Sequence, residues 1–417
     1  MDDKDLDTTP GDSPDESDTP VSKRGGAKAR ARAKPAPPRR DSVPFTFSRI
    51  RGQARAKVVL QGALASDRIA GAYLFYGEDG IGKFLAGMAM AAALNCDAPA
   101  PVEGGLDACG ACVPCRKVAR LAHPDVHVAL AVPAAFRKGS PPSIDFDKYR
   151  ELLDSISGSR YYVVQFTRNA TVSVDQIRSL IHEAGLTRVE GRRKVMVIAR
   201  ADRMNDSAAN ALLKTLEEPN AGLVIILTAP EPGRLLPTVA SRCQHIRFDP
   251  LTSETIEAAL VEDLGVESKS ARHLSVLARG SLGRALEMRE EDPIAFRDQV
   301  LSLLAPRERQ SELLQDLHAL VGWDQNAARR VAEVLILWQR DVLAVAHGLP
   351  EEDVLNSDRI DDLRAEAKRL DPAELRRRLA VLEDLVKTVN ANVTPDLAVF
   401  SAIVRLEGRR GASAARA

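Results

Sequence analysis

Tyr73-Leu-Phe-Tyr-Gly77-Glu-Asp-Gly80-Ile-Gly82-Lys83-Phe84 decides the fold. Its apolar start reads as a short strand, its glycines as a loop, and the small-residue run Leu85–Leu94 as the helix that follows. A strand, a G-x-x-x-x-G-K loop and a helix make a phosphate-binding P-loop. Gly77, Gly80 and Gly82 free backbone N–H groups to converge on an anion, the helix start favours negative charge, and Lys83 adds a point charge. The next position breaks the pattern. Phe84 stands where a Ser or Thr hydroxyl would hold Mg²⁺, so the metal that bridges the phosphates loses a ligand. The chain reads as a nucleotide-binding scaffold with damaged hydrolytic chemistry, in which secure binding of ATP with Mg²⁺ is not expected.

A second lesion lies downstream. Val195-Met-Val-Ile198 is a continuous apolar run, the kind of strand buried on both faces of a parallel sheet. In a hydrolysing P-loop enzyme this strand ends in carboxylates that hold Mg²⁺ and orient water. Here it ends in Ala199-Arg200, and Asp202 lies further along. Before it, Ser173 caps a helix with Ile177, Leu180, Ile181 and Ala184 on one face. After it, Met204–Pro219 reads as a helix capped by Asn205, Asp206 or Ser207, with Leu212, Leu213 and Leu216 inward and Pro219 as its stop. Leu223–Thr228 is another buried strand with Thr228 at its tip, where a γ-phosphate sensor would sit. Ser241-Arg242-Cys243 precedes a last strand through Phe248. Alternating strands and helices predict an α/β three-layer domain with a parallel sheet.

Lys+Arg and Asp+Glu both number 58, so overall charge excludes no partner. Its distribution says more. Residues 1–20 carry eight acids against one Lys, and residues 21–40 carry eight cations and no acid. With Pro, Gly, Ala and Ser between the charges, residues 1–41 read as a disordered tail. The basic half is a solvated tether, with nucleic-acid contact as the alternative. No apolar run is long enough for a membrane span or a secretory segment, so a cytoplasmic location is expected.

A reducing cytosol bears on the cysteines. Cys109-Gly-Ala-Cys112-Val-Pro-Cys115 has a spacing that can converge on one tetrahedral Zn²⁺, with Cys96 reaching back as the fourth ligand. Four thiolates close the coordination sphere, so the metal would be structural; inert thiols are the alternative. His123 and His127 then read as capping or core residues. Arg51–Ile69 shows helical spacing, with Val58, Val59, Leu60 and Leu64 apolar, and Val126–Val132 reads as a strand. Residues 133–170 read as a surface insertion holding a short helix over Phe146–Ile156 and a β-like run over Tyr161–Phe166. From Leu251 onward the pattern is helical: Glu254–Asp263, Ser268–Arg279, a glycine turn at Gly280-Ser-Leu-Gly283, and Val331–Val345 among others.

Together these residues resemble bacterial clamp-loader subunits of the AAA+ class. The likeness rests on the P-loop, the four cysteines, His123-Pro-Asp125, Val174-Asp-Gln-Ile-Arg178, Glu190-Gly191, Ala201-Asp202, Ala209-Asn-Ala-Leu-Leu-Lys-Thr-Leu-Glu-Glu-Pro219 and Ser241-Arg-Cys243. It covers about residues 45–290 and continues more weakly through Trp338, Asp341, Asn390-Ala-Asn392 and Leu397. The resemblance implies a P-loop domain over 42–249 with a four-cysteine module at about 95–116, and a helical lid over 250–291. It further implies an all-helical oligomerisation collar over 292–410, and a short tail over 411–417. It implies a ring-like pentamer with tau/gamma ATPase subunits and a delta subunit as partners. Through that complex it implies contact with the sliding clamp and primer-template DNA, within the DNA polymerase III holoenzyme, a nucleotidyltransferase assembly.

In the same resemblance Arg242 is an arginine finger offered in trans to a neighbouring subunit's nucleotide, with a structural ion pair as the alternative. Arg284 matches the sensor-2 arginine, and Thr228 is sensor-like. Two functions compete within the class. A non-hydrolysing stator fits Phe84 and Ala199-Arg200; an ATP-hydrolysing tau/gamma motor would normally keep the acidic pair. A third reading, an independent zinc-containing DNA-binding protein, needs a basic face that the near-neutral composition does not supply.

Overall fold

The computed structural model describes residues 43–139, 143–157, 161, 170–289, 292–305, 307, 309–390 and 393–407. The charged tail, residues 411–417, the run after Tyr161 and Ala391-Asn392 lie outside them. The order begins with α1 (Ala54–Ala65), β1 (Ala72–Tyr76), α2 (Lys83–Leu94), β2 (Ala100–Val102), β3 (Gly105–Asp107) and α3 (Val113–Ala119). It continues with β4 (Val126–Ala129), β5 (Arg137–Lys138), β6 (Ser143–Ile144), α4 (Phe146–Ser157), α5 (Val174–Gly185), β7 (Lys194–Ile198), α6 (Asp206–Glu217), β8 (Leu223–Ala229), α7 (Pro237–Ala240) and β9 (Gln244–Arg247).

Five strands form one parallel sheet in the order β4-β7-β8-β1-β9. Its central strands are apolar on both faces because successive side chains alternate sides. Tyr73, Phe75, Val195, Val197, Val224 and Ile226 pack under α1 and α2. Leu74, Met196, Ile198, Ile225 and Leu227 pack against α5 and α6 through Ile177, Leu180, Leu212 and Leu216. The result is helix, sheet, helix: the three-layer α/β architecture with a parallel sheet expected from the strand and helix alternation. The P-loop and the C-terminal ends of β7 and β8 therefore lie at one edge of the sheet.

Local chemistry sets the helix starts. Ser173 accepts from the Gln176 N–H while the Gln176 side chain accepts from the Ser173 N–H, a capping box. Asn205 caps α6 by accepting from Ala208. Some expected elements differ. In α1 the buried residues are Ala56, Leu60 and Gln61, whereas Val58 and Val59 face solvent. Strand β4 stops at Ala129: the Tyr149 hydroxyl accepts from Leu130 N–H at 3.0 Å and donates to the Val128 carbonyl, and Val132 bridges to Thr171. Helix α4 is therefore more than a surface insertion, because Ile156 is fully buried against Leu130 and Ala199.

The helical part comprises α8 (Ser253–Ala258), α9 (Ser268–Leu277), α10 (Leu282–Met288), α11 (Pro293–Ser302), α12 (Gln310–Leu320), α13 (Gln325–Ala346), α14 (Ile360–Arg369), α15 (Pro372–Asn390) and α16 (Pro395–Glu407). The expected continuous helix over 254–263 widens into a π-turn at Ala259–Asp263. One apolar core runs from Leu251 through Leu282, Val331 and Leu385 to Leu406. No helix among the described residues is long and apolar enough to cross a membrane.

Candidate functional site

A cleft of about 660 Å³ opens where the P-loop, the sheet edge and α10 meet. That volume suits a nucleotide-sized ligand. Gly80, Gly82, Lys83, Thr228 and Arg284 line it, as do Ile50, Arg200, Pro250 and Glu287; Arg242 and the cysteines are not among its lining. Gly77, Gly80 and Gly82 take φ of 140°, 75° and 103°, the region that favours glycine. Lys83 is only 5% exposed. Its ammonium donates to the carbonyls of Gly77 and Glu78, and Asp79 stands 3.7 Å away. Burial pushes this ammonium down to about 8, against the upward pull of Asp79.

Where a metal ligand would follow the lysine, the ring of Phe84 joins an apolar cluster. It packs with Leu130, Ile156 and Ala199, with Tyr149, Leu152 and Leu153 of α4 on its outer side. Ala199 thus occupies the end of β7 without a carboxylate. Arg200 follows in a left-handed conformation, φ 57°, which a non-glycine residue adopts at a cost of order 1 kcal/mol. Its N–H donates to Thr228 Oγ1 at 3.0 Å, so the sensor-like hydroxyl is engaged with the residue replacing the second acid. The Arg200 guanidinium reaches Asp79 at 2.6 Å and Asp202 at 2.8 Å.

The other cations bordering the cleft are also held by carboxylates. Arg284 pairs with Glu333 of α13, a residue almost fully buried, and Arg279 lies 3.8 Å from the same side chain. Arg51 is clasped by Glu262 at 2.9 Å and Asp263 at 2.6 Å. A charge removed from water is retained only where it is paired, and each of these is.

The four cysteines converge at the end of α2. Cys96 follows that helix, Cys109 follows β3, Cys112 caps α3 and Cys115 lies within it. All four sulfurs lie within 4.8 Å of one another, and Cys96 and Cys112 stand 3.8 Å apart. A tetrahedral ion with metal–sulfur bonds of about 2.3 Å needs sulfurs about 3.8 Å apart, so the donor set fits a metal. Backbone N–H groups of Cys109 and Cys112 point at Cys96 Sγ and Cys109 Sγ at 3.3 Å, a polarity suited to thiolates. His123 and His127 are not in the cluster; His123 Nδ1 accepts from the Asp125 N–H and is a buried turn residue.

Arg242 follows α7 on the outer side of the α/β domain, and its side chain is 34% exposed. It donates to the Thr238 carbonyl at 2.8 Å and pairs with Glu217 of α6 at 2.7 Å. Glu217 is thus the carboxylate partner of Arg242.

A family model described as DNA polymerase III, delta subunit, matches residues 52–252. The DNA polymerase III subunit delta' of Bacillus subtilis strain 168 is 27% identical over 346 residues, covering 82% of this chain and 92% of that protein. The delta' subunit of Pseudomonas aeruginosa PAO1 is 35% identical over 173 residues, 41% of each chain. Over most of its length the chain is thus similar to a clamp-loader delta prime subunit of DNA polymerase III. The subunit tau of B. subtilis is also similar, 27% identical over 355 residues, but the match covers only 56% of tau against 79% of this chain.

Several residues that shape this chain carry no local signal in the sequence. Asp125 is fully buried and accepts from the N–H groups of Val189, Glu190 and Gly191, which explains His123-Pro-Asp125 and Glu190-Gly191 as two halves of one clamp. A Cβ at Gly191 would meet Asn95 Oδ1 at 2.7 Å. Asp107 accepts from Phe47 and Ser48, tying the cysteine module to the start of the fold. Gln53 bridges Ile81 of the P-loop to Asp249 after β9. Pairing across 28 to 196 residues is invisible to periodicity.

Proposed function

We propose that this chain is the non-hydrolysing stator of a clamp loader, which helps place the sliding clamp on primed DNA in the cytoplasm. It sits beside tau/gamma ATPase subunits and the delta subunit and donates Arg242 to a neighbour's nucleotide. The observation that carries this reading is the apolar cluster of Phe84, Ala199 and α4 where metal and water chemistry would be. Phosphoryl transfer depends on a positioned metal and nucleophile, and neither the hydroxyl nor the carboxylates are there to hold them. The tau/gamma motor reading would require those groups. Arg242, by contrast, is held outward by Glu217 with part of its guanidinium exposed, as a group offered to another molecule must be.

Cys96, Cys109, Cys112 and Cys115 hold a structural Zn²⁺ in this reading, with no open coordination position. The domains divide into a P-loop domain over 42–249, a lid over 250–291 and a collar over 292–410 that carries subunit contacts. The test is turnover by the purified chain alone and in a complex reconstituted with tau/gamma and delta subunits. No ATP hydrolysis attributable to the monomer is expected, and clamp loading is expected only when the chain is added. Monomer turnover that disappears in Lys83→Ala would overturn the stator assignment.

A further inference from the structure

The floor of the cleft holds a charge arrangement that the stator reading does not use. Asp79 is the third residue of the P-loop, and its carboxylate lies between two buried cations: Arg200 at 2.6 Å and Lys83 at 3.7 Å. Lys83 is the P-loop cation that would grip a phosphate, and Arg200 adds a second cation beside it. Burial lowers the Lys83 ammonium and Asp79 opposes it, while at Arg200 burial is outweighed by the Asp202 hydrogen bond and the Asp79 charge. The same turn is bound from above by the lid. Ser281 Oγ donates to the Asp79 carbonyl at 2.6 Å, and the Gly283 N–H donates to the Gly80 carbonyl at 2.9 Å. The contact is backbone on backbone: a Cβ at Gly283 would meet Gly80 Cα at 2.6 Å.

We propose that Asp79 is a built-in anion that fills the phosphate cradle from within, while Ser281 and Gly283 latch the lid onto the loop that carries it. The cleft then serves as an internal fastening between the α/β domain and the helical part. An external polyphosphate would have to displace the carboxylate and meet its repulsion. This holds whether or not Arg242 acts on a neighbour, because no group in the latch contacts Arg242, so its failure would leave that reading standing.

The test uses the full chain in magnesium-free buffer without chelator at neutral pH, titrated calorimetrically with inorganic pyrophosphate. Asp79→Asn keeps the shape of the loop and removes the charge. It should bind pyrophosphate on the order of tenfold or more tightly than the wild type. Asp79→Asn with Lys83→Ala should lose that gain. Equal binding by wild type and Asp79→Asn would overturn the built-in anion, as would a gain that persists without Lys83, since it would then arise elsewhere. The latch has its own readout in Gly283→Ala, whose added methyl collides with Gly80. Amide exchange at residues 78–82 should rise severalfold while exchange in β7 and β8 stays unchanged. Unaltered exchange at the loop would refute the latch.

Discussion

Restoring the missing hydroxyl with Phe84→Thr should destabilise the protein without restoring hydrolysis. Truncating a fully buried Phe costs about 3–5 kcal/mol, and Phe84 is half-buried, so the packing loss is about 1.5–2.5 kcal/mol. The new hydroxyl would border the apolar side chains of Leu130, Leu152, Leu153 and Ile156 on one side and the cleft on the other, adding at most about 1 kcal/mol. The expected total is about 1.5–3.5 kcal/mol. Urea denaturation should show a lower midpoint at unchanged slope, since the fold and the exposed area stay the same. Magnesium-dependent ATPase should stay at background, because Ala199 and Arg200 supply neither carboxylate. A variant within about 0.5 kcal/mol of wild type, or one that turns over ATP, would refute the claim that an apolar cluster has replaced the metal's surroundings.

Three further outcomes are expected. Freshly purified protein should carry one zinc per chain by metal analysis, and Cys112→Ser should lose it while circular dichroism shows the α/β core intact. Asp358 is opposed by burial, but Arg297 and Lys269 outweigh that and hold its carboxyl down at about 2. Because the folded value lies below the unfolded 3.8, its stabilisation of about 2 kcal/mol is full above pH 4 and fades as pH falls toward 2. The stability gap between wild type and Asp358→Asn should therefore shrink over that interval. Arg297 is itself almost fully buried, so Arg297→Ala should cost about 1.5–3 kcal/mol by leaving Asp358 with Lys269 at 3.2 Å as its remaining cation, and a loss under 1 kcal/mol in thermal denaturation would show that the pair is incidental.

The parts legible in the sequence were those written in neighbouring residues. The P-loop, the apolar run of β7, the caps at Ser173 and Asn205 and the cysteine spacing each occupy a window short enough for periodicity or spacing to reveal. Asp79 shows the limit. It occupies a variable position of the P-loop motif, and its meaning comes from Arg200, 121 residues away, held there by a left-handed backbone that no propensity announces. The clamp at Asp125 and the fastening of Arg284 by Glu333 are of the same kind. Helix α4 was placed correctly, but its task was not legible, because Phe84 and Ala199 come beneath it only once the sheet has formed.

The most direct measurement of the stator assignment is ATP turnover and clamp loading by a reconstituted complex carrying Arg242→Ala. An arginine finger acting fully is worth about 10³–10⁵ in rate, and a ring with several nucleotide sites dilutes the loss of one. The expected result is normal assembly with a clear fall in both activities, and poor rescue by Arg242→Lys, whose ammonium cannot bind phosphate oxygens bidentately. A complex that assembles and loads clamps at the wild-type rate would contradict it, leaving Arg242 as the structural partner of Glu217.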